Sequence, residues 1–547
     1  MSPTAVSATP NFYLADHALR EALASALPAA AVAWAEPKFQ TMGEAAAGPL
    51  DELAMLADKH PPVLHPRDRH GNRVDHLEFH PAYRELQKFG YGEGLIHHYY
   101  QEDVRQTLGD AREVVKLAHG YLFSQAEQGL FCPMCMTDGS AFLVETYGSA
   151  AQKAAWLPHL TSQNLDTLWE GGMWLTEKAG GSDVGANETR ATKDGERWRL
   201  NGEKFFCSNA GAEMVMVLAR PDGAPQGTKG LGLFALRRHR DDGSLNGLHL
   251  ERLKDKLGTR SMPTGEVLLH GAEAEAIGDV SRGFLHMTDM LNLSRLYNAT
   301  ASLSGMRRAL TEALQYAAQR VTFGAPILSR PLVRQTLVEM AVEHEGGLHL
   351  WLSVAHHRGR ILTGKATDVD RKLSRLWTPL LKYTTARTAV RVLSEAVEML
   401  GGNGYIEDWP LARLYRDAQV LPIWEGTTNI LVMDTLRAVH KDGAFEAWKG
   451  WMAAVDVPEL QEAVRRLEAR LPAVLSASSE ADDASRRLWC DRLVQVTQAA
   501  LMRQRARTVR AQAAAEHYLL RHFGEDRHDL SPSWMAQALS SASVILG

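Results

Sequence analysis

Apolar residues recur along this chain with two different periodicities. Between residues 50 and 163 their spacing is mostly helical, as at Val114, Leu117 and Tyr121. Between residues 168 and 278 short apolar runs alternate with Gly, Asp and Asn turns, which is typical of a small all-β domain, a barrel or a sandwich. The expected strands lie at 198–200, 214–218, 231–236 and 267–269, and the expected turns at 201–202, 222–223 and 242–243.

Long helical patterns return after residue 283. Segments 302–321, 332–362 and 368–400 have few interior helix breakers. Long helices joined by short links indicate a helical bundle. A further helical stretch follows residue 440 and is divided by a polar loop at 476–485.

The helical pattern before the β-region is less regular than the pattern after it. The first 50 residues are rich in Ala and Pro and predict an extension with one short helix at 16–26. Loops at 61–62 and 68–72 interrupt the helices that follow. The whole pattern predicts an α+β multidomain protein. Its expected domains are an N-terminal extension (1–50), a helical domain (51–165), a β-barrel domain (166–281), a helical bundle (282–440) and a C-terminal helical domain (441–547).

Composition narrows the class of protein. A chain of 547 residues is too long for one simple core, and 45% hydrophobic with 23% charged residues is ordinary for a soluble protein. The net charge of −5 gives no global reason to expect nucleic acid or an anionic membrane as partner. No apolar run reaches the roughly 18–20 residues of a membrane span, and residues 1–10 do not read as a secretory signal. We expect a cytoplasmic protein.

The four cysteines, at 132, 135, 207 and 490, exclude a disulfide framework and fit a reducing compartment. Cys132 and Cys135 form a C-x-x-C, but no second such pair and no thioredoxin-like context accompany it. We expect this pair to pack rather than to bind zinc or to act in redox chemistry, and we expect no metal site.

The chain lacks both G-x-G-x-x-G and the Walker A sequence, so a nucleotide cofactor must be held differently. Three segments offer a way. Residues 173–183 combine glycines with hydroxyl donors, 201–209 place an aromatic residue beside a hydroxyl, and 423–429 follow the long helices. Taken singly, Gly-Gly-Ser is as readily a plain turn, and Asn-Gly a hairpin.

Taken together, the segments resemble the acyl-CoA dehydrogenase family, with five motifs in the family's order. The matching residues are Thr176, Glu177, Gly181, Ser182 and Asp183; the stretch from Lys204 to Asn209; Arg320, Phe323 and Gly324; Gly401, Gly402 and Gly404; and Glu425, Gly426 and Thr427. The resemblance implies a helical domain, a β-barrel and a four-helix bundle, assembled as a homotetramer that binds FAD.

The resemblance also implies roles for single residues. Glu425 is the expected base that removes the α-proton of an acyl-CoA, and Arg295 is expected to support the turn that carries it. Some family members place the base just before this arginine, but Ser294 occupies that position here and lacks a carboxylate. Phe206 is expected to flank the flavin ring and Ser208 to bond near its N5. The expected cofactor-binding residues are Met173, Leu175, Thr176, Gly181, Ser182, Phe206, Ser208, Arg320, Phe323, Gly402, Thr427 and Asn429.

Within this family the chain resembles the AidB branch, flavoproteins of the bacterial adaptive response to DNA alkylation. The resemblance rests on residues 62–83, 176–184, 250–258 and the segment after 440. It implies duplex-DNA binding and a role in alkylation resistance. One departure weakens CoA-ester use: Asn292 stands where fatty-acyl enzymes carry an Asp that helps to hold CoA. The alternatives are a metabolic dehydrogenase for short or branched acyl-CoA, as for isovaleryl-CoA, and a DNA-shielding protein in which FAD is structural.

The C-terminal segment carries the residues expected to bind DNA. Between 485 and 523 eight arginines stand against Asp491 and Glu516. At about 100° per residue, five of them share one face of a continuous helix, where they could follow DNA phosphates or equally form a solvated or subunit-contacting face. These are Arg492, Arg503, Arg507, Arg510 and Arg521.

Overall fold

The computed structural model describes residues 11–524 and 532–546. The expectation for residues 1–10 therefore lies outside the described part of the chain. The chain separates into two compact units. The helical unit comprises the described residues of Met1–Gly48, Asp103–Gln125 and Asn298–Gly547, and the barrel unit comprises Pro49–Glu102 and Ala126–Tyr297.

Most strands lie in the middle of the chain, between long stretches of helix. In chain order, the helices are α1 (His17–Ala26), α2 (Ala29–Ala46), α3 (Pro49–Lys59), α4 (Pro81–Gln87), α5 (Glu102–Leu108), α6 (Arg112–Ser124), α7 (Phe131–Tyr147), α8 (Ala150–Leu160), α9 (Gly283–Gln319), α10 (Pro331–Leu362), α11 (Asp368–Leu400), α12 (Gly402–Tyr405), α13 (Pro410–Ala418), α14 (Thr428–Lys441), α15 (Ala444–Met452), α16 (Pro458–Ser476), α17 (Glu480–Arg505), α18 (Val509–Phe523) and α19 (Pro532–Leu546). The strands are β1 (Val63–Arg67), β2 (Arg73–Glu78), β3 (Gly171–Trp174), β4 (Arg190–Asp194), β5 (Arg197–Ser208), β6 (Met214–Pro221), β7 (Gly232–Arg237), β8 (Leu248–Leu253), β9 (Thr264–Ala276), β10 (Val321–Thr322) and β11 (Ala325–Pro326).

The middle strands form a closed barrel. The ring runs β6–β4–β5–β9–β7, with each strand paired to the next, and β7 pairs back onto β6, so the ring has no free edge. Alternate side chains point inward and bury an apolar core that includes Trp174, Val217 and Phe234. This confirms the barrel and excludes the sandwich. β8 pairs with β9 beside the ring.

β3 and β4 lie one after the other along the same edge of β6, and both run parallel to it. Trp174 pairs with Val217, and Arg190 pairs with Arg220. Residues 175–189 therefore leave the sheet as an excursion between two strand segments that share one neighbour. We call this excursion the 175–189 loop.

Asn201-Gly202 is not the turn that the sequence predicts. Both residues lie within β5, where the pairing with β9 shifts register between Leu200 and Gly202. Gly202 has a φ of 155°, and a Cβ there would lie 2.6 Å from Oγ1 of Thr189. The Asn-Gly pair therefore forms a bulge in a long strand. The turns expected at 222–223 and 242–243 are present.

The three predicted long helices are confirmed as α9, α10 and α11. The N-terminal region holds more helix than the single one expected, because α2 follows α1 and packs on α6 through Ala35 and Phe39, both buried. The sequence pattern of this region, rich in Ala and Pro, predicts only an extension. The loop at 68–72 is the turn of an unpredicted hairpin, β1–β2.

A buried polar network joins α1, α6 and α10 in the helical unit. Asp16 caps α1 by accepting from the Leu19 N–H, and its other oxygen accepts from the Tyr121 hydroxyl at 2.8 Å. That hydroxyl lies 3.0 Å from Nε2 of His344. Burial, reinforced by the nearby positive charge of Arg307, lowers the pKa of His344 to about 4. In the described ranges no helix is long and apolar enough to cross a membrane.

Candidate active site

The 175–189 loop is closed at its base by one carboxylate. Glu177 accepts hydrogen bonds from the backbone N–H of Glu188 at 2.6 Å and from the Thr189 hydroxyl at 2.6 Å. The ammonium of Lys204, on β5, lies 2.7 Å from the same carboxylate and also donates to the Leu218 carbonyl. Burial alone would raise the pKa of Glu177, but the Lys204 charge and these hydrogen bonds hold it below its usual value. An ionised Glu177 therefore ties the two ends of the loop to the barrel.

A buried arginine holds the far side of the same loop. Arg220, on β6, donates to the carbonyls of Gly185 at 2.8 Å and of Gly227 at 3.1 Å. Its side chain is fully buried, so these main-chain contacts replace its hydration. The loop is thus fixed on two sides by cations that were not predicted as functional. Glu177 and Lys204 do belong to the matched motifs, which was the available signal.

The tip of the loop is exposed and offers hydroxyl groups. Gly181 folds back on Thr176, and a Cβ at Gly181 would lie 2.7 Å from the Thr176 Oγ1. Ser182 is exposed beside it. Met173, in β3, and Leu175, the first residue of the loop, pack on an apolar cluster that includes Leu143 and Met290.

β5 presents the second predicted cofactor segment. Phe206, near the end of β5, is 55% exposed, a large fraction for an aromatic side chain in a barrel strand. The Lys254 ammonium lies 4.6 Å from the centre of its ring. Ser208 is half-buried, and its carbonyl accepts from the Trp174 indole at 3.0 Å, which ties β5 to β3. Among the described residues, none hydrogen-bonds the hydroxyls of Thr176, Ser182 or Ser208.

In the helical unit, Glu425 lies in the turn before α14. Its φ is +58° and that of Gly426 is +101°, so two successive residues adopt left-handed conformations. For a glutamate this conformation costs about 1 kcal/mol and persists only where the surroundings enforce it. Its carboxylate Oε2 is buried. Asn298 holds the start of the turn by donating to the Leu421 carbonyl at 3.2 Å.

The remaining predicted site residues belong to several different elements. Thr427 is the N-cap residue of α14 and Asn429 is in its first turn; both are exposed. Gly402 begins α12. Arg320 precedes the β10–β11 hairpin, and Phe323 at its tip is 96% exposed. Arg295 belongs to the barrel unit and donates to Asn292 Oδ1 at 3.1 Å, so its support of the Glu425 turn stays a prediction.

The predicted arginine stripe is wrong as a single helical face, because the helix breaks at 506–508, between α17 and α18. The ψ of 89° at Ala506 ends α17, and Thr508 caps α18 with its side chain. Most of the predicted arginines contact other side chains of this same chain. Arg510 pairs with Glu345 and Glu21, Arg521 pairs with Glu343 and Glu339, and Arg492 stacks on Phe523. Arg503 and Arg507 remain exposed, and Arg503 lies 3.9 Å from the Glu516 carboxylate.

Cys132 and Cys135 lie in the first turns of α7, half-buried and buried respectively, and both are free thiols. Within residues 11–524 and 532–546, no group of three or more His, Cys, Asp or Glu side chains could hold a metal ion.

Comparison with known proteins agrees with this architecture. Residues 4–167 match the model for the adaptive response protein AidB N-terminal domain, residues 172–272 the acyl-CoA dehydrogenase middle domain, and residues 281–440 the acyl-CoA dehydrogenase C-terminal domain. The putative acyl-CoA dehydrogenase AidB of Escherichia coli K12 is 34% identical over 478 residues, which cover 84% of each chain. Acyl-CoA dehydrogenase family member 11 of Caenorhabditis elegans is 38% identical over 436 residues, 78% of this chain and 70% of that protein.

A solved structure extends the similarity to the fold. The crystal structure of Caenorhabditis elegans ACDH-11 in complex with C11-CoA has a TM-score of 0.87 and 32% identity, and covers 100% of this chain and 97% of that one. These matches identify the chain, with its closed barrel and its strained Glu-Gly-Thr turn, as a flavin-dependent oxidoreductase. The chain belongs to the acyl-CoA dehydrogenase family, in its AidB-like branch, and FAD is the cofactor of that family.

The barrel unit fits such a cofactor. FAD presents a flat ring, a hydroxylated chain and a pyrophosphate. The exposed Phe206 ring can cover the flat ring of the cofactor. The hydroxyls of Thr176, Ser182 and Ser208 can donate hydrogen bonds to its oxygen and nitrogen atoms. Gly181 allows the main chain of the loop to approach closely.

Proposed function

We propose that this protein oxidises an acyl-CoA thioester with Glu425 as the base. The observation that carries the proposal is the left-handed Glu425, held at φ +58° with a buried carboxylate oxygen in the Glu-Gly-Thr turn. A carboxylate kept from water is a stronger base toward a weakly acidic α-proton. Strain of this kind concentrates at functional residues.

In the proposed reaction, a carboxylate oxygen of Glu425 removes the proton α to the thioester carbonyl. FAD, if bound, would supply the acceptor for the hydride of the β-carbon, and the product would be the α,β-unsaturated thioester. Thr176, Ser182, Phe206 and Ser208 are proposed to hold and orient FAD, joined by Gly402, Thr427 and Asn429, and by Arg320 and Phe323 toward a neighbouring subunit.

The substrate class is proposed from two considerations. The ACDH-11 relative was crystallised with C11-CoA, which makes undecanoyl-CoA the first probe. Asn292 lacks the charge of the aspartate expected there, which favours an acyl-CoA held mainly through its acyl portion. The second possibility is a short or branched acyl-CoA such as isovaleryl-CoA.

Anaerobic titration of the flavoprotein with a series of acyl-CoAs from butyryl to undecanoyl tests the proposal. We expect bleaching of the flavin band by at least one of them. We expect Glu425→Gln, with unchanged FAD content, to bleach at least 1,000-fold more slowly. Absence of bleaching by every member, or equal rates in wild type and Glu425→Gln, contradicts the proposal.

A homotetramer is proposed as the assembly. The family resemblance implies it, and the Phe323 ring, 96% exposed at the tip of a short hairpin, is available for a contact with a neighbouring subunit. Arg330 braces the hairpin by donating to the Thr322 and Phe323 carbonyls at 3.2 Å each.

Duplex-DNA binding with a role in alkylation resistance is the second candidate function. It is supported by the exposed Arg503 and Arg507, which lie on either side of the end of α17. Arg492, Arg510 and Arg521 do not support it, because their side chains are largely withdrawn from solvent into contacts with this chain, whereas the Arg503 pair with Glu516 is exposed.

A further inference from the structure

A lysine from the middle of α11 holds the turn that carries Glu425. Lys382 is fully buried, and its Nζ donates to the carbonyl oxygen of Gly426 at 2.8 Å. Both residues belong to the helical unit. A lysine on a long helix ordinarily extends its ammonium to water, so a buried ammonium directed at a main-chain carbonyl is a costly arrangement.

The contact adjoins two residues whose backbone conformation is left-handed. Glu425 and Gly426 have φ values of +58° and +101°, and the peptide that follows them carries the carbonyl bonded by Lys382. Fixing this carbonyl restricts ψ of Gly426. The two residues before Glu425 are held differently, because Ile423 and Trp424 donate to the Val420 carbonyl. Lys382 therefore acts on the side of the turn that leads from Glu425 into α14.

Packing around the turn leaves little freedom for a substitute contact. Leu431 lies 3.2 Å from where a Cβ on Gly426 would stand, and α11 packs closely on α14. If the carbonyl of Gly426 loses its donor in this setting, the turn is expected to relax toward a right-handed conformation. Such relaxation would redirect the Glu425 side chain.

We propose that Lys382 is a positioning residue, which keeps Glu425 in its left-handed conformation by anchoring the Gly426 carbonyl. The inference rests on the proposed function of Glu425. It assigns Lys382 no proton transfer and no contact with substrate.

The test compares three variants of the full-length flavoprotein. Lys382→Met removes the ammonium at similar length, Lys382→Arg keeps a cationic donor, and Arg505→Met is the matched control. Arg505 is a half-buried cation of the helical unit. Like Lys382, it donates to a main-chain carbonyl, that of His349 at 2.7 Å, but it lies far along the sequence from the Glu425 turn.

With undecanoyl-CoA as the probe, we expect Lys382→Met to slow anaerobic flavin reduction about 10- to 100-fold, the range that misplacement of a reacting group produces. The concentration giving half-maximal rate should change less than twofold, and FAD content should not change. Lys382→Arg should recover at least part of the rate. Arg505→Met should reduce flavin at the wild-type rate even if it lowers the melting temperature as much as Lys382→Met does.

Hydrogen exchange of the peptide spanning 421–431 gives a readout that needs no substrate. We expect at least tenfold faster exchange in Lys382→Met and near-wild-type exchange in Lys382→Arg and Arg505→Met. Unchanged exchange and an unchanged reduction rate in Lys382→Met overturn the inference. If wild type is not reduced by any acyl-CoA, the proposed function fails, and the exchange result alone decides whether Lys382 anchors the turn.

Discussion

The ammonium of Lys204 lies 2.7 Å from Oε1 of Glu177, and the two side chains are 0% and 7% exposed. This ion pair joins β5, which carries Phe206 and Ser208, to the base of the 175–189 loop. The two segments proposed to hold the flavin therefore share one buried electrostatic contact, although they lie well apart in the sequence.

Glu177→Gln is expected to weaken both the fold and cofactor retention. It leaves the Lys204 charge buried without its counter-charge, a change that costs about 3 kcal/mol. Urea unfolding of the apoprotein and the flavin-to-protein absorbance ratio measure the two effects. Glu462→Gln, which removes an exposed pair with Arg465, is the control and should change neither.

Gly181→Ala should reduce FAD affinity while sparing stability. A Cβ at this position would lie 2.7 Å from Oγ1 of Thr176, so the hydroxyl must rotate away from its present direction. The loss of one hydrogen bond to the cofactor amounts to about 1 kcal/mol, or roughly five- to tenfold in Kd. Fluorescence titration of the apoprotein with FAD measures it. Wild-type affinity in Gly181→Ala would show that Thr176 does not contact the cofactor.

Glu425→Gly is expected to stabilise the protein while abolishing oxidation of acyl-CoA. Glycine adopts the φ of +58° without the steric cost that glutamate carries, which yields about 0.5–1 kcal/mol. Thermal unfolding of the apoprotein should show the higher melting temperature. Glu425→Gln keeps the steric cost, so it should be inactive without any such gain.

Stability should fall as the pH drops from 6.5 to 4, in part through His344. Burial lowers its pKa to about 4 from the usual 6.5, so in this interval the unfolded chain binds a proton that the folded chain excludes. The sign is therefore a loss of stability on acidification, of up to about 3 kcal/mol from this group alone. Urea unfolding at pH 7, 5.5 and 4.5 should show a shallower decline in His344→Gln than in wild type. Parallel declines would exclude His344 as a contributor.

If the second candidate function is correct, duplex DNA should bind through Arg503 and Arg507. The double variant Arg503→Ala/Arg507→Ala should bind a 20-base-pair duplex about tenfold more weakly and lower the slope of log K against log salt by about 2. Fluorescence anisotropy between 50 and 200 mM NaCl measures both. Arg465→Ala/Arg466→Ala, on exposed α16 positions, is the control for general charge loss. Equal losses in the two double variants would remove the α17 end as a DNA site.

The sequence predicts the elements whose pattern is local. The helices α9 to α11 and the barrel strands follow from periodicity, and the turn at 222–223 follows from its Asp-Gly pair. Asn201-Gly202 has the same local signal as a turn, yet pairing with β9 absorbs it as a bulge, because long-range hydrogen bonds outweigh the local preference. The apolar pattern does not predict α2, because alanine fills much of this helix and contributes little to such a pattern.

Among the site residues, the motif positions are visible in sequence but their supports are not. Glu177 and Lys204 are 27 positions apart, and Lys382 and Gly426 are 44 apart, so neither pairing leaves a short-range signature. The arginine stripe shows the converse. A projection onto one continuous helix assumes that the helix continues, and the break at 506–508 invalidates the projection.

The pairing of β3 and β4 with one edge of β6 bears on how this protein can diversify. Trp174 and Arg190 join β6 at Val217 and Arg220, so the loop between them departs and returns at nearly the same place on a closed ring. Residues can be exchanged within 178–184 without altering the register of any barrel strand. This makes the loop tip a point at which ligand preference can evolve independently of folding, provided that Glu177 and Thr189 continue to close its base and that Gly185 continues to accept from the buried Arg220.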